Sequence, residues 1–134
     1  MRASVTRVEE LRNSVSIRGH ELTIDEEGTD GGADAGPTPL ELLAGSLAGC
    51  VAITMEMYAR RKGWEIGDVG VDVEFSPAER GTPTKFEIVL RLPEDLPAEQ
   101  AERLTVIAAK CPVHRVLDGE VMFDERVERT ALAG

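Results

Sequence analysis

The sequence is expected to fold as an α+β domain, with antiparallel sheets packed on one long hydrophobic helix in the order βββ-α-ββ-α-β. Three observations predict this. Segments with alternating β-branched and polar residues cluster near the N-terminus and again after residue 68. Between them, residues 42 to 55 contain no charge and sit inside helix-capping signals. The chain has 134 residues, no internal repeat and no linker-like stretch, so residues 1–134 are read as a single domain.

The elements follow in order. Residues 3–9, 14–18 and 21–25 alternate with short turns between them, Leu11-Arg12-Asn13 and Gly19-His20, and read as an antiparallel meander. Residues 26–37, EEGTDGGADAGP, are acidic, rich in glycine and aperiodic, which predicts a flexible loop. At Thr38 a helix begins: Thr38 is a good N-cap, Pro39 fits the first turn, and Glu41 completes a T-x-x-E capping box. Arg60, Arg61 and Lys62 suit the negative end of its macrodipole, and Gly63 suits its left-handed end. Apart from Ser46 and Thr54, residues 42–55 are apolar all round, so burial on every side is expected. At ~1.5 Å per residue the helix would be about 36 Å long, more than a chain this size hides easily, so a partner surface is expected too.

Beyond the helix, residues 69–75 and 85–92 alternate as half-buried strands joined by a polar loop. Pro93 and Pro97 close the second strand and open a helix over 97–110. A short helix starts at Pro112, residues 120–128 read as a last strand, and the tail RTALAG reads as frayed.

Composition narrows the function. The formal net charge of −10 argues against nucleic acid and against an anionic membrane surface. The N-terminal stretch lacks the apolar core of a signal peptide, and the uncharged run is shorter than the ~20 residues of a span, so a cytoplasmic protein is expected. Two cysteines in a reducing compartment are then reactive, metal-bound or simply apolar, rather than a structural disulfide.

Two groups of residues could carry chemistry. Cys50 lies within the long helix, with Leu43, Ser46, Leu47, Ile53, Thr54 and Met57 on neighbouring turns. That makes an apolar pocket edged by hydroxyls, though a buried cysteine is equally at home in a core. Cys111-Pro112-Val113-His114-Arg115 would place Cys111 as N-cap of the short helix. Free N–H groups, the helix dipole, Lys110 and Arg115 should all lower its thiol pKa there. Cys111-x-x-His114 has the spacing of half a zinc site, but His20 is the one other histidine and no metal is expected.

GPTPLELLAGSLAGC followed by KCPVHRVL resembles the OsmC/Ohr superfamily of osmotically inducible and organic hydroperoxide resistance proteins. The shared features are a Pro-x-Glu-Leu-Leu-like helix start, a cysteine some ten residues later and a second Cys-Pro about sixty residues on. The resemblance implies an intertwined homodimer with the long helices at its centre. It also implies a thiol-dependent peroxidase with no metal or organic cofactor. Cys50 would be the peroxidatic cysteine and Cys111 the resolving one, reset by an external dithiol of lipoyl or thioredoxin type. Leu43, Leu47, Ile53, Thr54 and Met57 would line the substrate pocket. Peroxidase members also use a glutamate ten residues before the cysteine and an arginine from the N-terminal strands. Here Leu40 holds that position and Glu41 follows it, as catalytic group or as helix cap. Arg12 matches the arginine best, with Arg18 second. The alternative reading is a dimer that holds a small hydrophobic ligand without catalysis, or that senses oxidants.

Overall fold

The computed structural model describes residues 1–129. Three strands open the chain, β1 (Ser4–Glu9), β2 (Arg12–Ile17) and β3 (His20–Ile24), paired antiparallel in sequence order. The first turn is tighter than the sequence suggests. Glu10 takes a positive φ of 51° beside a bulge between Arg7 and Glu9, so Arg12 begins β2 instead of lying in the turn. Arg18 and Gly19, both with positive φ, form the second turn and leave His20 as the first residue of β3.

The stretch after β3 is a closed loop organised by one carboxylate. Asp25 is 2% exposed. Its Oδ1 accepts the amide N–H of Glu26, and its Oδ2 accepts those of Ala33 and Ala35 at 3.2 and 3.1 Å. A single 3₁₀ turn, Gly28–Asp30, lies within it. Two glycines permit the close approach: a Cβ on Gly32 or Gly36 would collide with the backbone of Glu26 or Thr23.

Helix α1 spans Pro39–Lys62 with the caps that the sequence predicts. The Thr38 hydroxyl accepts the Glu41 amide N–H, the Glu41 carboxylate accepts the Thr38 amide N–H at 2.9 Å, and Gly63 ends the helix at a φ of 70°. Strands β4 (Gly70–Ser76) and β5 (Lys85–Arg91) form a hairpin in unbroken register. Its inward pairs, Val71–Leu90, Val73–Ile88 and Phe75–Phe86, include the core's sheet-side partners of α1. Helices α2 (Ala98–Ala108) and α3 (Pro112–Asp118) also pack on α1. The core is a single stripe of α1, Leu47, Val51, Met55 and Ala59, joined by Ile66, Leu104, Ala108 and Cys111.

The structure corrects three expectations. Helix α1 is long and apolar enough to cross a membrane by length and composition, yet it is not buried all round within this chain. Ile53 and Met57, on another face, are 61% and 57% exposed. The meander β1–β3 packs chiefly on itself instead of on α1, and Val5, Val8, Ile17 and Leu22 remain exposed. Residues 120–128 form no strand. Alternation marks a segment able to pair, but a ladder needs a neighbour, and among the described residues none lies beside it. The observed order is therefore βββ-α-ββ-α-α. All but the first residue of the tail read as frayed lie outside the described residues.

Candidate active site

The two cysteines meet at the start of α3. Pro112 fits the first turn because its missing N–H would have no helical partner there. Cys111 is consequently the N-cap, and its Sγ accepts the His114 amide N–H at 3.3 Å. The next free amide of the same turn, that of Val113, donates to Cys50 Sγ at 3.4 Å across 63 residues of sequence. One turn of backbone thus holds both sulfurs, and both cysteines are free thiols.

Their surroundings differ. Cys111 is fully buried, whereas Cys50 is partly exposed. The Cys111 thiol is pushed above the ordinary thiol range, first by burial. The amide of His114 opposes that rise, and the adjoining Cys50 thiol adds to it. This reverses the lowering expected from the helix N-terminus. A seven-residue helix supplies too little dipole to offset loss of water around a thiolate.

Cys50 opens onto a groove of about 450 Å³ walled by Gly45, Gly49, Ile53, Thr54, Met57 and Pro112. Ile53, Thr54 and Met57 share this groove with Cys50. Leu47 does not line this groove. Three residues before Cys50, it is turned about 60° around the helix, into the core. There it borders a separate cavity of about 290 Å³ with Phe86, Ile88, His114 and Leu117. Leu43 is half-buried and lines neither space.

Glu41 and Arg12 have other engagements. The Glu41 carboxylate closes the capping box and faces a different groove, shared with Val71 and Val73 of β4. Arg12 pairs with Glu9 at 3.3 Å, and its charge also favours the Asp25 carboxylate. Arg18 lies in the β2–β3 turn. Within one chain none of the three lines the groove beside Cys50. Among the described residues no group of three or more His, Cys, Asp or Glu side chains could hold a metal ion.

Sequence reasoning misses two contributors. Pro112 as a wall and Val113 as an amide donor come from a segment whose approach to Cys50 is entirely tertiary. Pro112 directly after a cysteine was the available signal, and it fixes the local helix start without saying what that start faces.

Comparison with known proteins identifies the family and the fold. The sequence profile of the OsmC-like protein family matches residues 30–126. No curated protein matches the chain. A solved structure from Psychrobacter arcticus, described as an osmotic stress-induced and detoxification response protein, superposes with a TM-score of 0.73 at 24% identity, covering 85% of each chain. An organic hydroperoxide resistance protein from Legionella pneumophila gives 0.64 at 20% identity over 89% of this chain and 90% of that one. The organic hydroperoxide resistance protein OhrB of Bacillus subtilis gives 0.59 at 22% identity over 89% and 92%. At these identities the three structures establish the fold alone. The chain belongs to the OsmC-like protein family.

Proposed function

We propose that the protein is a thiol-dependent peroxidase that reduces organic hydroperoxides. The observation that carries this reading is the shared helix start, where one turn's amides engage both Cys50 and Cys111. In the first step the Cys50 thiolate attacks the distal peroxide oxygen. The O–O bond breaks, the alkoxide leaves and takes a proton as the alcohol, and Cys50 becomes a sulfenic acid. Cys111, deprotonated, then attacks the Cys50 sulfur. The S–O bond breaks, water leaves, and a Cys50–Cys111 disulfide forms. An external dithiol of lipoyl or thioredoxin type restores both thiols by exchange.

The Val113 N–H donates to the Cys50 sulfur and fixes it at the mouth of the groove. The apolar walls of Ile53 and Met57 favour a hydroperoxide with a hydrocarbon tail over hydrogen peroxide, because tail burial contributes about 0.8 kcal/mol per CH₂. Cys50 and Cys111 are assigned the peroxidatic and resolving roles, and Ile53, Thr54 and Met57 the pocket.

The working form is a homodimer in the cytoplasm. The chain exposes 10791 Å², whereas a compact monomer of its 14.5 kDa exposes about 6,900 Å². A surplus that large, with Ile53, Met57, Val121 and Phe123 in the open, fits an intertwined pair better than a lone chain. The partner would cover much of α1, and the unpaired segment 120–128 would find its ladder there.

A second reading is favoured by one observation: Glu41 and Arg12 are occupied away from Cys50. On that reading the dimer binds a small hydrophobic ligand and its thiols react slowly. Consumption of tert-butyl hydroperoxide with dihydrolipoamide or dithiothreitol decides. Peroxidase function predicts turnover that Cys50→Ser removes, by a thousandfold or more on the order of a lost nucleophile. Equal slow rates for both proteins would favour the ligand-binding role.

A further inference from the structure

At the far end of α1 lies a further cleft that Cys50 does not line. Tyr58 and Lys62 from the last turns of α1, Trp64 just beyond it, and Glu99, Glu102, Arg103 and Val106 of α2 enclose about 440 Å³. The chain's one tyrosine and one tryptophan meet there edge to face, with ring centres 5.6 Å apart.

The lining carries two cations, Lys62 and Arg103, and two acids, Glu99 and Glu102, but the cations gather around the tyrosine. In a chain of net charge −10, three cations converge on one phenol. Arg103, Lys62 and Arg61 lie 5.6, 5.7 and 6.0 Å from the Tyr58 ring centre. None of the three forms an ion pair among the described residues, whereas neighbouring Arg60 pairs with Glu56. Arg103 donates its Nε–H to the phenol oxygen at 2.9 Å, which leaves the terminal guanidinium nitrogens for another acceptor.

We propose that this cleft binds a small organic monoanion, a carboxylate carried on a flat apolar body. The terminal nitrogens of Arg103 would take the carboxylate in their fork, Lys62 would add a second charge, and Trp64 and Val106 would take the apolar part. Glu99 and Glu102 on the same rim repel a more highly charged group, so inorganic phosphate is disfavoured. Tyr58 feels the same groups. Its pKa lies below the usual phenol value, chiefly through the Arg103 hydrogen bond and then through the nearby charges of Arg103, Lys62 and Arg61.

Benzoate is a suitable probe, with benzamide as its neutral isostere and inorganic phosphate as the competing anion. Trp64 fluorescence reads binding, and phenolate absorbance reads the titration of Tyr58, each from a unique residue. The expected result is saturable quenching by benzoate, at least about tenfold weaker binding of benzamide and of phosphate, and a Tyr58 titration moved upward by bound benzoate. Arg103→Gln should weaken benzoate about tenfold, and Lys62→Gln about threefold, with peroxide turnover unchanged. Equal binding of benzoate and benzamide, equal binding of phosphate, or full benzoate affinity in Lys62→Gln would overturn the assignment. Lys62 is exposed, so that variant serves even if Arg103→Gln does not fold.

Discussion

The two walls of α1 carry different jobs. One wall, Leu47, Val51, Met55 and Ala59, is sealed against β4, β5 and α2, and Cys111 is sealed with it. The other wall, Gly49, Ile53 and Met57, is open, and Cys50 faces it at the boundary. Cys111 is therefore shut off from solvent, with burial raising its thiol pKa, whereas Cys50 is partly open to the groove. The contrast shows how two cysteines at one junction, Cys50 on α1 and Cys111 at the start of α3, come to differ in burial.

The largest effect that would sharpen this contrast comes from Cys111→Ser. The first oxidation at Cys50 should proceed at the rate of the unchanged protein, but steady turnover should fall on the order of a hundredfold or more, with sulfinic acid accumulating at Cys50. Stopped-flow peroxide consumption followed by intact mass resolves the two steps. Turnover retained in Cys111→Ser would break the division of labour.

Next in size is the packing difference between the walls. Met55→Ala empties the sealed side and should cost about 2–5 kcal/mol at any protein concentration. Ile53→Ala leaves that side intact. It should cost less than about 1 kcal/mol in dilute protein and act mainly on the monomer–dimer equilibrium. Urea melts at two protein concentrations separate the cases, and equal losses independent of concentration would erase the distinction.

A smaller effect lies in pH. Because Cys111 is raised, its reactive thiolate is scarce at neutral pH. Closure of the disulfide from the Cys50 sulfenic acid should therefore accelerate about tenfold per pH unit on the alkaline side of neutrality. The same raised value means that the buried thiol stabilises the fold below its unfolded pKa and ceases to do so as pH rises through the folded one. A closure rate independent of pH from 7 to 9 would show that Cys111 is not the slow partner.

The smallest concerns the loop before α1. Asp25 has a lowered pKa, first from the Glu26 amide and then from that of Ala35. Its contribution is complete above the ordinary aspartate value of about 3.9 and is lost as pH falls through the lowered folded value. Asp25→Asn should flatten that acid-side dependence of hydrogen-exchange protection at Ala33 and Ala35. An unchanged profile would mean that another group holds the loop.

Local chemistry made α1 legible: Thr38, Pro39, Glu41 and Gly63 specify its ends through contacts a few residues apart. The β4–β5 hairpin was legible from alternation in the same way. What escaped sequence reasoning depends on distant encounters. Asp25 organises its loop through amides eight and ten residues away. Residues 120–128 have strand chemistry but, among the described residues, no neighbour to pair with. Cys111 was expected to be acidic from its helix start, and burial against α1, invisible locally, reversed the sign.

The pairing of Cys50 with Cys111 across the first turn of α3 is tested most directly by peptide mass mapping of the native protein after one equivalent of tert-butyl hydroperoxide. The account predicts loss of both free thiols and a Cys50–Cys111 linked peptide pair within each chain, with no disulfide between subunits. Recovery of the two cysteines on separate, unlinked peptides would contradict it.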